Sequence, residues 1–140
     1  MSRFLLDTNV VSELTRDTPE PKVLAFLDRA PRPRLSAIVV HELQVGVQIL
    51  PAGRRKDRLQ AAVASLLNAF GDRILPVDRT AAEWAANIRA DLIRSGRTPG
   101  LADMLIAGTA AVRNLAVVTR NVRDFEGLGI GVVNPWETAL

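Results

Sequence analysis

Cysteine is absent from the 140 residues, which excludes disulfides and thiolate-held metals and suits a reducing compartment. Tyrosine is absent as well. With four Phe and two Trp as the whole aromatic complement, a sheet that recognises RNA by stacking bases on exposed rings is not expected. Lys22 and Lys56 are the only lysines and His41 the only histidine, so positive charge is carried almost entirely by arginine. No stretch approaches the roughly 18 apolar residues of a membrane span, and no basic region followed by a long apolar core opens the chain. A cytoplasmic protein without membrane contact is the expectation. Internal repeats, low-complexity tracts and linkers are also missing. Nothing glycine-rich follows the first apolar run, and Gly127, Gly129 and Gly131 open no helix, so a dinucleotide-binding fingerprint is excluded.

What remains is ordinary globular material. Hydrophobic residues at 48% and charged residues at 24% argue against disorder. The length suits one domain over residues 1–140, with a core burying roughly two thirds of the unfolded surface. The net charge of +3 is modest, and the arginines are clustered. Arg29, Arg32 and Arg34 surround two prolines, and Arg54, Arg55, Lys56 and Arg58 follow Pro51. Each cluster reads either as solvated loop and helix-start charge or as a patch that meets phosphates.

Short apolar runs alternate with helical periodicity. Phe4-Leu5-Leu6, Leu35-Ser36-Ala37-Ile38, Ile74-Leu75-Pro76-Val77, Leu115-Ala116-Val117-Val118 and Gly129-Ile130-Gly131-Val132-Val133 read as four to five short buried strands. Between them the spacing predicts helices over 10–15, from Pro19 to about Ala30, from Val39 to about Leu50, over 54–70, over 81–95 and over 101–114. Val23, Leu24, Phe26 and Leu27 would form the buried stripe of the second. The last is apolar nearly all round and is expected at the centre of the molecule. Strands alternating with helices predict an α/β fold in three layers, a central parallel sheet with helices on both faces.

Acids occupy the informative places. Asp7 ends the first strand, at the sheet edge where open α/β folds bind ligands. Alternatively Asp7, Thr8 or Asn9 caps the helix beginning near Val10. Glu42 borders the apolar face of the third helix, where a glutamate is costly unless partnered. Asp103 opens the buried helix, and its plainest role there is to complement the helix dipole. Asp124 lies in a turn beyond the fourth strand. Parallel strands direct their carboxyl ends to one edge, so these acids would converge and repel unless a cation joins them. An all-oxygen set with no cysteine favours Mg2+ or Mn2+ over Zn2+. Such an ion stabilises phosphoryl charge and lowers the pKa of water, as phosphodiester hydrolysis requires. His41 beside Glu42 is one helical step away and faces elsewhere. A phospho-acceptor reading of Asp7 lacks a second Asp two residues on and a lysine near the C-terminal strands.

The ordered set of Leu5-Leu6-Asp7-Thr8-Asn9, Ser36 to Leu43 with Gly46, Ala102-Asp103 to Ala110, Val118-Thr119-Arg120-Asn121 with Asp124-Phe125, and Asn134-Pro135-Trp136 resembles the PIN-domain family. Within it, the chain resembles VapC-type toxins of the FitB-like subgroup. The resemblance implies a single PIN domain and a Mg2+-dependent endoribonuclease, the toxin of a type II toxin-antitoxin module. It also implies a homodimer held inactive by a cognate antitoxin in a hetero-oligomer. By motif position, Asp7, Glu42 and Asp103 match the family's core acids and metal ligands. The fourth catalytic acid falls at Asp124, or its place is taken by Asn121. Thr8, Asn9, Ser36, Thr119 and Asn121 would support the ligands, and Arg120 would bind the RNA backbone. The alternative is a PIN-like protein-binding module with weak or no nuclease activity.

Overall fold

The computed structural model describes residues 3–137. Five parallel strands are ordered β3-β2-β1-β4-β5: β1 (Phe4–Leu6), β2 (Arg34–Ser36), β3 (Ile74–Leu75), β4 (Ala116–Val118) and β5 (Val132–Val133). Leu5 and Leu6 of the central strand pair with Arg34 and Leu35 on one side and Val117 and Val118 on the other. β1 is buried along its whole length, as its uninterrupted apolar run requires of a strand covered on both faces.

The helices are α1 (Thr8–Leu14), α2 (Pro21–Arg29), α3 (Ala37–Gln48), α4 (Arg54–Phe70), α5 (Arg79–Arg94) and α6 (Leu101–Arg113). Most start at readable caps. Asp7 caps α1 through Thr8 N–H, Ser36 caps α3 through Ile38 N–H, and Asp78 caps α5 through Ala81 N–H. Asn114 ends α6 in the left-handed region at φ 60°, a conformation Asn tolerates. Met104, Ile106, Ala107 and Ala110 of α6 are fully buried, so the most apolar helix lies at the centre of the molecule. Its Gly108 admits α5 closely: a Cβ there would meet the Ala81 carbonyl oxygen at 2.4 Å.

Several sequence-based boundaries shift. α1 begins at Thr8 rather than Val10, because the Asp7 cap starts the helix at once. Ala37 and Ile38 belong to α3, not to β2; Ser36 ends the strand and caps the helix, and the apolar run across it mixes strand and buried helix. β3 stops at Leu75, ahead of Pro76, which has no N–H for a ladder. Leu24 is 40% exposed, so the buried stripe of α2 is Val23 and Phe26, with Leu27 partly buried. The helix expected over 81–95 begins two residues early, at Arg79.

Candidate metal centre

The strand order reverses at β1, with β2 and β3 to one side and β4 and β5 to the other. In open α/β sheets the crevice at such a switch, outside the strands' carboxyl ends, is where ligands bind. Asp7 leaves β1 at that point, and its own N–H donates to Val118 O at 2.9 Å, extending the ladder to β4. Thr119 leaves β4 beside it, fully buried.

These neighbours fix the Asp7 carboxylate on both oxygens. Thr8 N–H donates to Oδ1 at 2.8 Å. The Thr119 hydroxyl donates to Oδ2 at 2.7 Å, and Asn9 Nδ2 reaches the same oxygen at 3.3 Å. Thr119 Oγ1 in turn accepts from Asn121 N–H at 3.0 Å and from Asn9 Nδ2 at 3.3 Å. The cap and a ligand role are therefore compatible: capping occupies one lone pair of Asp7 and leaves others. Burial pushes the Asp7 carboxyl above its ordinary value, and the nearby charges of Glu42 and Asp124 act in the same direction; the Thr119 and Thr8 hydrogen bonds oppose them.

Glu42 projects from α3 and accepts a hydrogen bond from the Thr8 hydroxyl at 2.5 Å, which ties α1 to α3 across the site. Asp103 stands in the first turn of α6, and its carboxylate folds back within 3.5 Å of where a Gly100 Cβ would sit. It accepts no hydrogen bond among the described residues. Burial lifts it to about 6, with the charges of Asp7, Asp124 and Glu42 adding to the rise. Asp124 lies on a 3-10 turn (Val122–Asp124) after β4, exposed but close enough for its charge to raise both aspartates.

The fold thus brings Asp7, Glu42, Asp103 and Asp124 to one edge. Among the described residues no Arg or Lys forms an ion pair with any of them; the ion pairs there are formed by Glu13, Asp78, Glu83 and Asp91. Also among the described residues, no three acidic or histidine side chains are drawn tightly enough together to grip an ion as they stand. The donor set nonetheless fits a hard divalent cation in kind: oxygen only, mutually repelling and without a basic partner. Asp7, Glu42 and Asp103 are the side chains that could hold it.

The supporting residues divide. Thr8, Asn9 and Thr119 touch the carboxylates directly. The Ser36 hydroxyl caps α3 by accepting from Ile38 N–H at 3.1 Å, its one bond among the described residues. Asn121 contributes its backbone N–H to Thr119, while its side chain lines an outer cleft with Arg120 and Asp124. His41 is exposed. Two features went unread in the sequence. Glu13 is a buried acid that accepts from Arg16 and from Glu20 N–H, an inter-helix tie rather than part of the site. Trp136 carries the Arg120 guanidinium over its ring. The only sequence signal for that pair was its presence in two of the motif segments.

Comparison with known proteins finds a family pattern, relatives along the whole chain and solved structures of the same fold. The pattern of the PIN domain matches residues 4–129. The chain is 40% identical over 139 residues to VapC ribonuclease Y4jK of Sinorhizobium fredii, covering 97% of this chain and 99% of that one. It is 41% identical over 136 residues to toxin FitB of Neisseria gonorrhoeae, covering 95% and 98%. Among solved structures, FitAcB from Neisseria gonorrhoeae superposes with a TM-score of 0.87 at 40% identity, covering 96% of this chain and 99% of that chain. A toxin-antitoxin complex from Klebsiella pneumoniae superposes with a TM-score of 0.70 at 26% identity, covering 96% and 98%.

Proposed function

The chain belongs to the PIN-domain family, and from that premise we propose that it is a VapC-type endoribonuclease, the toxin of a toxin-antitoxin pair, that hydrolyses RNA phosphodiester bonds with a divalent metal. The observation that supports this best is the gathering of Asp7, Glu42, Asp103 and Asp124 at the β1/β4 switch with no basic partner among the described residues.

A Mg2+ or Mn2+ ion bound among these carboxylates supplies charge stabilisation on the phosphoryl oxygens and lowers the pKa of water. The rest is done by the chain. Thr8 N–H and the Thr119 hydroxyl lock the Asp7 carboxylate in place and oppose the rise that burial imposes on it. The Thr8 hydroxyl holds Glu42 in register with Asp7. A water attacking phosphorus in line with the leaving oxygen must lose a proton, and Asp103 and Asp124 are the two acids of the set without a hydrogen-bond donor among the described residues. Asp103 is kept for the metal in this reading, which leaves Asp124 to take that proton. Asp124 fills the fourth acidic place in this reading, supported by its charge acting on both Asp7 and Asp103. Asn121 serves through its backbone.

Because a carboxylate cluster repels phosphate, RNA must also be held by flanking cations, and Arg120 on the shared cleft is the nearest to the motif. The antitoxin is a separate chain in this reading, and homodimerisation draws on exposed apolar side chains, among them Val45, Ile49, Ile93 and Leu101. Among the described residues no helix is long and apolar enough to cross a membrane. Incubating purified protein with labelled RNA tests the proposal. Metal-dependent fragments are expected from wild type and none from Asp7→Asn. No cleavage by wild type under any divalent metal favours the protein-binding alternative.

A further inference from the structure

Arg120 shares a cleft of about 550 Å3 with Asn121, a second arginine, Arg123, and Asp124, Glu126, Asn134 and Glu137. An arginine among carboxylates ordinarily pairs with one of them, yet Arg120 forms no ion pair among the described residues. Its guanidinium lies instead over the indole of Trp136, with Cζ 4.9 Å from the ring centroid, inside the range of about 6 Å at which an aromatic face attracts a cation. The Trp136 backbone N–H donates to Asn134 Oδ1 at 2.9 Å, and the half-buried indole packs against the hydrophobic core. The backbone of Arg120 is anchored too: its N–H donates to Asn9 Oδ1 at 3.1 Å, and Asn9 also touches Asp7 and Thr119.

We propose that Trp136 is a positioning residue whose indole holds the Arg120 guanidinium at the mouth of the carboxylate cleft, ready for a backbone phosphate of bound RNA. Without the ring, the arginine can swing onto Asp124, Glu126 or Glu137, which costs the phosphate its cation and ties up an acid of the site. Stacking leaves the in-plane N–H donors of the guanidinium available for bidentate contact with a phosphate. A fixed side chain also loses less entropy when the ligand arrives. The inference rests on the ribonuclease reading for its ligand class, single-stranded RNA.

The test is fluorescence anisotropy with a labelled single-stranded RNA of mixed sequence, in chelator at low salt so that no metal-dependent cleavage intrudes. Trp136→Leu is expected to weaken binding roughly two- to fivefold, the ratio matching an exposed cation–π contact, and Trp136→Phe to restore most of it. In an Arg120→Ala background, which itself lowers the salt slope by about one, Trp136→Leu should have no further effect. With Mg2+ present, the same variants should raise KM and leave kcat near wild type. Arg120→Lys keeps the charge but not the stacking plane, so it should lose as much as Trp136→Leu and carries the test if that variant does not fold. The proposal is overturned if Trp136→Leu or Arg120→Lys binds as tightly as wild type. It is equally overturned if the tryptophan substitution is as costly without Arg120, since the ring would then meet RNA on its own. Wild type that binds the probe but cleaves no RNA with Mg2+ or Mn2+ sinks the nuclease reading alone, and the binding comparison still decides this one.

Discussion

Asp103→Asn separates the two roles that a first-turn aspartate can have. Half-buried beside three other acids, the carboxyl is lifted from 3.8 to about 6. A folded-state value above the unfolded one means that the native protein binds more protons between those pH values, so stability falls as pH rises through that window. At about 1.4 kcal/mol per pH unit, the ionised form costs about 3 kcal/mol above pH 6. The group is half exposed, and solvent screening reduces that to roughly 1.5 kcal/mol. An acid in the first turn of α6 returns about 0.3–1 kcal/mol through the helix dipole, and the neutral amide gives that up. The net expectation is that metal-free Asp103→Asn is more stable than wild type by about 1 kcal/mol at neutral pH, near 3 °C in Tm for a chain of this size. Well below pH 4 the gain should vanish, because the wild-type carboxyl is then protonated in both the folded and the unfolded state. Added Mg2+ should raise the Tm of wild type and leave the variant nearly unmoved, while RNA cleavage is lost. Thermal melts at several pH values, with chelator and with Mg2+, measure all of this. A variant less stable than wild type at neutral pH, with an unchanged response to Mg2+, would return Asp103 to the role of a helix-dipole acid and refute the reasoning.

Other substitutions probe the surrounding structure. Thr119→Val removes the 2.7 Å hydrogen bond to Asp7 Oδ2; cleavage should fall roughly 10- to 100-fold, as when a ligand loses its orienting partner, and the loss should show in metal titrations of activity. Gly108→Ala places a methyl 2.4 Å from the Ala81 carbonyl oxygen, so α5 and α6 must separate; a loss of about 1–3 kcal/mol in urea unfolding is expected, with metal dependence of cleavage retained. Glu13→Ala strips the acceptor from Arg16 and Glu20 N–H and should cost about 1–3 kcal/mol in the same assay, again without altering the site.

Much of this arrangement was legible because its signals are local. Phe4-Leu5-Leu6 reads as a doubly covered strand, which puts Asp7 at the sheet edge as well as at a helix cap. The apolar run of α6 had to lie inside, which carried Asp103 to the same edge. The unread parts depend on contacts that no local pattern encodes. Ala37 and Ile38 are apolar whether in strand or buried helix, and only the Ser36 cap decides for the helix. Leu24 sits at a helical spacing compatible with the buried stripe, yet only three-dimensional packing shows that α2 turns it outward. Asn121 and Asp124 stand three residues apart, and the sequence does not show that the fold brings Asp124 near enough for its charge to act on Asp7 and Asp103. The stacking of Arg120 on Trp136 joins residues that follow different strands, so it exists only once β5 has paired with β4.

The central claim is that the carboxylates at the β1/β4 switch hold a divalent metal for RNA cleavage. Its most direct test is the cleavage of labelled RNA by wild type and Asp7→Asn across a Mg2+ and Mn2+ titration, with circular dichroism confirming that both are folded. The account predicts fragments from wild type only with metal, and none from the folded variant at any concentration. Equal cleavage by the variant, or cleavage by wild type in excess chelator, would contradict it.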